Sequence, residues 1–139
     1  MSMHNPPDLR YTPTHEWVRW DGELATVGIT RFAVEQLTEP TYLELPALGS
    51  SVEAGKPFGV IESVKSTSDL YAPLSGVVAE RNSELLDDPA SGRQGNLALI
   101  LEDPFGRGWL IKIRPQPPVS LEHLLTAEQY EAQLAAEGH

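Results

Sequence analysis

The chain has 139 residues, a length that suits one domain rather than two. Its 20 acidic and 10 basic side chains give a formal net charge of −10, which disfavours nucleic acids and anionic membranes as partners. The chain contains no cysteine, so disulfides, thiolate catalysis and cysteine–zinc sites are excluded. No apolar run reaches the length of a membrane span, and the opening residues lack a signal-peptide pattern. We therefore expect a cytoplasmic protein.

The N-terminal part of the sequence predicts a short tail followed by β structure. Pro6-Pro7 blocks a helix in residues 1–10, which we expect to form a flexible tail. Short runs of β-branched and aromatic residues between glycines and prolines then predict a β domain over residues 11–114. This domain opens with a hairpin over residues 17–29, because Asp21-Gly22 is a favoured hairpin turn.

One short helix and several further strands are predicted in the same domain. Thr30 is expected to cap a helix over Arg31–Leu37. Further strands are predicted at residues 41–45, 51–53, 58–64, 70–72, 76–80 and 109–113. A long loop is predicted over residues 85–107, and its apolar middle, residues 96–101, is expected to fold back onto the body.

The C-terminal segment, residues 115–139, predicts a proline-rich spacer followed by docked helices. The first helix is predicted over residues 121–125. The second is predicted from the capping box that Thr126 and Gln129 can form, and it is expected to end at Gly138.

Lys65, one of three lysines, is predicted at the tip of a hairpin. Apolar residues lead into residues 58–73, a polar cluster lies in the middle, and apolar residues lead out. Taken alone, this is most simply a solvated turn lysine. Catalytic and Schiff-base lysines require burial, which a hairpin tip with the acidic neighbours Glu62 and Asp69 does not supply. Acylation by an enzyme that brings an activated acyl group is compatible with this setting.

The segment Glu62–Asp69, with the sequence ESVKSTSD, closely resembles the lipoyl-lysine hairpin of glycine cleavage system H proteins. Similar blocks occur at residues 11–18, 27–30, 44–46, 71–76, 106–113 and 127–131. The resemblance thus extends over about residues 11–137. It implies a mainly β fold, a barrel-sandwich hybrid of the lipoyl/biotinyl hammerhead type, with a short helix in the N-terminal half and a C-terminal helical tail.

The resemblance also implies a non-catalytic carrier. In the family, the lysine that corresponds to Lys65 holds lipoate in amide linkage, and this arm shuttles an aminomethyl group between enzymes. The implied partners are a lipoate ligase or lipoyl transferase, glycine decarboxylase, aminomethyltransferase and dihydrolipoyl dehydrogenase. Transient docking on several partners leads us to expect a monomer. The absence of cysteine fits this role, because the protein supplies no thiol to exchange with the arm.

Three carboxylates accompany Lys65 as expected cofactor-binding residues. In the family the loaded arm folds into a cleft, and by motif this cleft would be lined here by Glu16 and Asp69, whose carboxylates could hold the ammonium of the loaded arm. Glu62 belongs to the same hairpin motif. The alternative interpretations are a strand-edge surface charge for Glu16 and a turn-capping carboxylate for Asp69.

The sequence departs from the family pattern at several places, including the short helix and the long loop. Arg31 stands where the family usually has aspartate, and the loop between Pro89 and Pro104 is longer than usual. These departures leave an alternative open: an H-like lipoate-binding protein that carries sulfur intermediates and serves a heterodisulfide-reductase-like complex. A structural adaptor without modification is a further alternative. A biotin carrier is disfavoured because Val64 and Ser66 replace the expected flanking methionines.

Overall fold

The computed structural model describes residues 5–137, which form two antiparallel sheets and a few short helices. The strands are β1 (Arg10–Tyr11), β2 (Glu16–Trp20), β3 (Ala25–Ile29), β4 (Pro40–Glu44), β5 (Ser51–Val52), β6 (Pro57–Ser63), β7 (Thr67–Tyr71), β8 (Gly76–Arg81) and β9 (Ile111–Pro115). The helices are α1 (Arg31–Leu37), α2 (Ala98–Glu102) and α3 (Ala127–Ala136), and a 3₁₀ turn covers Ser83–Leu85. Within the described residues, no helix is both long enough and apolar enough to span a bilayer.

The two sheets pack as a sandwich that does not close into a barrel. One sheet has six strands in the order β1-β2-β3-β9-β8-β5, and the other has three in the order β4-β6-β7. Apolar side chains from both sheets meet in one buried cluster, which includes Val27, Ile61, Leu70 and Ile113. Burying such side chains is the main favourable contribution to folding. The predicted fold class, a mainly β sandwich with a short helix and a C-terminal helix, is confirmed.

The predicted hairpin and first helix are confirmed. β2 and β3 pair antiparallel, and Gly22 in their turn has a φ of +97°, a conformation that glycine adopts without steric cost. α1 spans the predicted residues, and the hydroxyl of its N-cap Thr30 accepts a hydrogen bond from the Ala33 amide.

The C-terminal segment confirms one predicted helix and corrects the other. α3 begins after Thr126, whose hydroxyl accepts from the Gln129 amide while the Gln129 side chain accepts from the Thr126 amide. The predicted end at Gly138 lies outside the described residues. The helix predicted over residues 121–125 is wrong: Leu125 instead pairs antiparallel with Tyr11, with N–O distances of 2.8 and 2.7 Å. That bridge requires extended backbone, which is incompatible with a helix ending there.

The long loop folds back onto the body as predicted, but it does so as a helix. Leu99 and Ile100 are 4% and 0% exposed, and both lie in α2, which the sequence analysis did not predict. The guanidinium of Arg31 donates to the Leu101 carbonyl, with an N–O distance of 2.9 Å. Arg31 therefore joins α1 to the long loop.

The segment before β1 packs against the C-terminal helix. Leu9 is 1% exposed and belongs to a second apolar cluster with Tyr11, Trp17, Tyr130 and Leu134. Leu9, in the second half of the predicted flexible tail, is thus anchored in the body, while Pro7 and Asp8 stay exposed. A proline pair prevents a helix but does not prevent packing of the residues around it. The domain boundaries after residues 10 and 114 stay predictions.

Candidate functional site

Lys65 lies at the tip of the hairpin formed by β6 and β7. The turn is closed by the Ser63 amide, which donates to the Ser66 carbonyl with an N–O distance of 2.8 Å. The Ser63 hydroxyl accepts from the amides of Lys65 and Ser66 at 3.3 and 3.2 Å. Val64 is 78% exposed and Lys65 is also exposed. The turn is therefore held by one serine and its own backbone, and it presents the lysine to solvent.

A cleft of about 440 Å³ lies beside this hairpin. The hairpin contributes one wall through Ser66, Ser68 and Asp69. The opposite wall is formed by residues 13–16 before and at the start of β2 and by one face of α1. Apolar residues from both sheets also line the cleft: Ile29 from the six-stranded sheet, and Ile61 and Leu70 from the three-stranded sheet. The cleft thus combines apolar surface with carboxylates from both walls.

Glu16 is the most buried charged residue of the cleft, at 1% exposure. Its Oε1 accepts from the hydroxyls of Thr12 and Thr14 at 2.6 and 2.5 Å, and its Oε2 accepts from the Tyr71 amide at 3.2 Å. Burial raises the pKa of Glu16 above its ordinary value, while these hydrogen bonds act in the opposite direction. A buried carboxylate held by neutral donors places negative potential in the cleft.

The neighbouring His15 connects the cleft to the C-terminal helix. His15 has a φ of +76°, and its Nδ1 lies 2.7 Å from the hydroxyl of Tyr130 on α3. The same hydroxyl lies 2.8 Å from the Thr30 hydroxyl, which caps α1. One buried tyrosine on α3 thereby joins the residue before β2 to the N-cap of α1.

The structure brings two of the predicted site residues, Glu16 and Asp69, together in the cleft and places a third, Glu62, outside it. Glu16 and Asp69 both line the cleft, from opposite walls. Glu62 does not line it; it lies within β6, opposite Tyr42 of β4 and Thr67 of β7. Lys65 projects from the tip, next to the lining residue Ser66.

Sequence reasoning missed the side chains that hold Glu16 and His15. Thr12 and Thr14, which hold Glu16, precede it by four and two positions. This short spacing is visible in the sequence and could have suggested that their hydroxyls bond the glutamate. Tyr130 lies 115 positions from His15, and no local pattern connects them.

Lipoate, the group implied by the sequence resemblance, fits this arrangement. The amine of Lys65 is exposed, and neither of the two ion pairs found in residues 5–137 includes it. The apolar cleft residues suit a hydrocarbon arm, and the carboxylates suit a cationic amine. A small two-sheet protein that exposes one lysine on a hairpin tip beside such a cleft has the architecture of a carrier domain with a lysine-linked arm.

Comparisons with known proteins agree with this class. The family model described as glycine cleavage H-protein matches residues 9–137. The glycine cleavage system H proteins of Gloeothece citriformis and Microcystis aeruginosa are 49% and 47% identical, and each match covers 99% of both chains. A crystal structure of a glycine cleavage system H protein from Mycobacterium marinum has a TM-score of 0.77 and 38% identity, covering 94% of this chain and 99% of that one. The chain belongs to the glycine cleavage H-protein family.

Proposed function

We propose that Lys65 carries lipoate in amide linkage and that the protein serves the glycine cleavage system as its non-catalytic carrier. Family membership supports the lipoyl-carrier role in glycine cleavage, and the names of the relatives do not favour the sulfur-carrying alternative. The monomeric state and the cytoplasmic location stay predictions.

The position of Lys65 is the observation that carries the proposal. The lysine is exposed at a hairpin tip, and the residues that follow it line a cleft with two carboxylates. Of the other lysines, Lys56 adjoins the start of β6, and the Nζ of Lys112 lies 5.2 Å from the centre of the Trp109 ring. Lys56 is also exposed and its neighbour Gly55 lines a second cavity, but no carboxylate lines that cavity, whereas the cleft beside Lys65 has two.

When attached, the lipoyl group supplies a disulfide that accepts a carbon unit together with its amine. The chain's own residues present and shelter this arm. The turn at Ser63 keeps the lysine in solvent, where a tether raises the local concentration of the arm at each partner. Ile61 and Leu70 exclude water from the interior of the cleft, and Glu16 and Asp69 accept hydrogen bonds from an ammonium group there.

The proposed partners follow from the same role. A lipoate ligase or lipoyl transferase would attach the arm at Lys65. Glycine decarboxylase, aminomethyltransferase and dihydrolipoyl dehydrogenase would then use it in turn. An exposed hairpin suits this sequence of partners, because each enzyme must reach the same arm.

The first experiment tests attachment. Wild-type protein and two variants, Lys65→Arg and Lys56→Arg, are incubated with a lipoate ligase, ATP and lipoate, and their intact masses are measured. We expect one lipoyl group on wild type and on Lys56→Arg, and none on Lys65→Arg. Peptide mapping that finds the group on another lysine would refute the assignment.

The second experiment tests the pathway. Lipoylated protein is incubated with glycine decarboxylase, pyridoxal phosphate and glycine, and an authentic H protein serves as the control. A mass increase on the arm supports glycine cleavage. If this protein remains unloaded while the control is loaded, its role in glycine cleavage is contradicted.

A further inference from the structure

Thr12 and Glu16 form a reciprocal hydrogen-bonded pair beneath the cleft. The Thr12 hydroxyl donates to Oε1 of Glu16 at 2.6 Å and accepts from the Glu16 amide at 3.0 Å. Both residues are buried, at 7% and 1% exposure. Because the hydroxyl accepts from an amide, its own proton remains available for the carboxylate.

The rest of the turn holds this pair in place. The Thr12 amide donates to the Glu16 carbonyl at 2.9 Å, and the His15 amide donates to the Thr12 carbonyl at 3.1 Å. Residues 12–16 therefore form a closed turn whose backbone hydrogen bonds keep Thr12 and Glu16 next to each other. Thr12 does not line the cleft, whereas Thr14 and Glu16 do.

The two oxygens of Glu16 are unequally occupied. Oε1 receives two hydroxyl donors, from Thr12 and Thr14, while Oε2 receives one donor, the Tyr71 amide. A carboxylate offers about four acceptor positions in all, two on each oxygen. Oε2 is thus the oxygen that retains capacity for a further donor.

We propose that Thr12 is a positioning residue, which holds Oε1 of Glu16 from behind the cleft so that Oε2 remains the acceptor for a cationic amine inside it. This inference rests on the proposed function, which brings such an amine into the cleft. Loss of the Thr12 hydroxyl removes one of the two donors on Oε1 and leaves Thr14 as the hydroxyl that holds this oxygen. The protonated form of Glu16 then becomes more favourable, and the carboxylate is a weaker acceptor for the amine.

The decisive test uses the unmodified protein, so it does not depend on lipoate. The pKa of Glu16 is measured by ¹³C NMR titration of its carboxyl in wild type, Thr12→Val and Thr12→Ser. Thr26→Val is the matched control, because Thr26 is similarly buried at 8% exposure and its hydroxyl does not contact Glu16. We expect Thr12→Val to raise this pKa by about one to two pKa units, from the loss of a hydrogen bond to a charged group.

The controls make the result specific. Thr12→Ser retains the hydroxyl and is expected to titrate like wild type, as is Thr26→Val. If Thr12→Val does not fold, Thr12→Ala removes the same hydroxyl with a smaller side chain and takes its place. An unchanged pKa in the variant without the hydroxyl, or an equal rise in Thr26→Val, would overturn the proposal.

A second measurement connects the titration to the arm. Lipoylated wild type and Thr12→Val are loaded by glycine decarboxylase and separated from it, and the loaded fraction is followed by intact mass at several pH values. We expect the variant to lose its load faster, with the largest difference at pH values between the two Glu16 pKa values, where Glu16 is protonated in the variant and ionised in wild type. If wild type itself cannot be loaded, the proposed function fails while the titration result stands. If both proteins lose the load at the same rate at every pH, the positioning role is contradicted.

Discussion

The two walls of the cleft are held in different ways. The hairpin wall, residues 63–69, is mostly exposed, and its turn is stabilised by hydrogen bonds between residues at most three positions apart. The opposite wall, at the start of β2 and along α1, is held by the nearby hydroxyls of Thr12 and Thr14 and also by groups distant in the chain: the Tyr71 amide on Glu16 and the Tyr130 hydroxyl on His15. The walls meet over apolar residues from both sheets.

This difference gives the two walls different tasks: the hairpin presents Lys65 to enzymes, and the opposite wall holds the carboxylate proposed to bind the arm. A tip held by local contacts tolerates substitution and gives enzymes access to Lys65 without disturbing the fold. A wall held by distant residues keeps its carboxylate in one place, because several elements would have to move together to displace it. Substitutions at the tip should therefore change modification and leave stability alone, whereas substitutions behind the opposite wall should lower stability.

The largest contrast is expected within β6 and its turn. Ile61 is 2% exposed and Val64 is 78% exposed, three positions further along. Ile61→Ala removes buried apolar contacts and is expected to cost about 2–5 kcal/mol, while Val64→Ala should change stability by no more than about 0.5 kcal/mol. Urea denaturation followed by fluorescence measures both. A large loss in Val64→Ala would show that the tip contributes to the fold and would break the comparison.

Tyr130→Phe tests whether the opposite wall depends on the C-terminal helix. The variant retains the ring, which stacks on Tyr11 with centroids 4.9 Å apart, and removes the hydroxyl shared by His15 and Thr30. A loss of about 1–3 kcal/mol is expected, because the buried partners lose a hydrogen bond.

The control is Tyr11→Phe, whose lost hydroxyl bonds the Pro6 carbonyl at 2.7 Å and touches neither cleft wall. Amide chemical shifts of α1 are expected to change in Tyr130→Phe and to remain in place in Tyr11→Phe. If the amide shifts of α1 stay unchanged in Tyr130→Phe, α3 does not hold the opposite wall.

The same contrast explains what could be predicted from sequence. The hairpin, α1 and the cap of α3 were predictable, because Ser63, Thr30 and Thr126 bond residues a few positions away. The segment 121–125 was wrongly predicted as a helix because its structure is decided by pairing with Tyr11, far away in the chain.

The candidate site divides in the same manner. Lys65 follows from a contiguous motif, but the burial of Glu16 depends on β7 and on the sheet packing behind it. Alternation along the strands likewise decides that Glu62 lies outside the cleft, even though it belongs to the same motif as Lys65. Motif matching therefore identifies the hairpin and the two carboxylates of its cleft, and the packed structure adds that Glu62 lies outside the cleft and that Glu16 is buried.

The smallest expected change in stability is a pH dependence that arises from Glu16. Burial raises its pKa in the folded state, so the folded protein retains the proton at pH values where the unfolded chain has released it. Stability relative to Glu16→Gln should therefore be greatest at low pH. It should fall as pH rises from the ordinary glutamate range through the raised pKa, with a slope of at most about 1.4 kcal/mol per pH unit for one proton.

Urea denaturation of wild type and Glu16→Gln across pH measures this difference directly. The measurement is repeated at high salt, because the net charge of −10 also makes stability depend on pH and salt screens that contribution. A buried carboxylate is screened much less, so the difference between the two proteins should persist. If wild type instead gains stability over Glu16→Gln as pH rises, the donors from Thr12, Thr14 and Tyr71 outweigh burial. The opposite wall would then be a preformed anionic site that is stable without its cationic partner, and the two walls would differ even more than proposed.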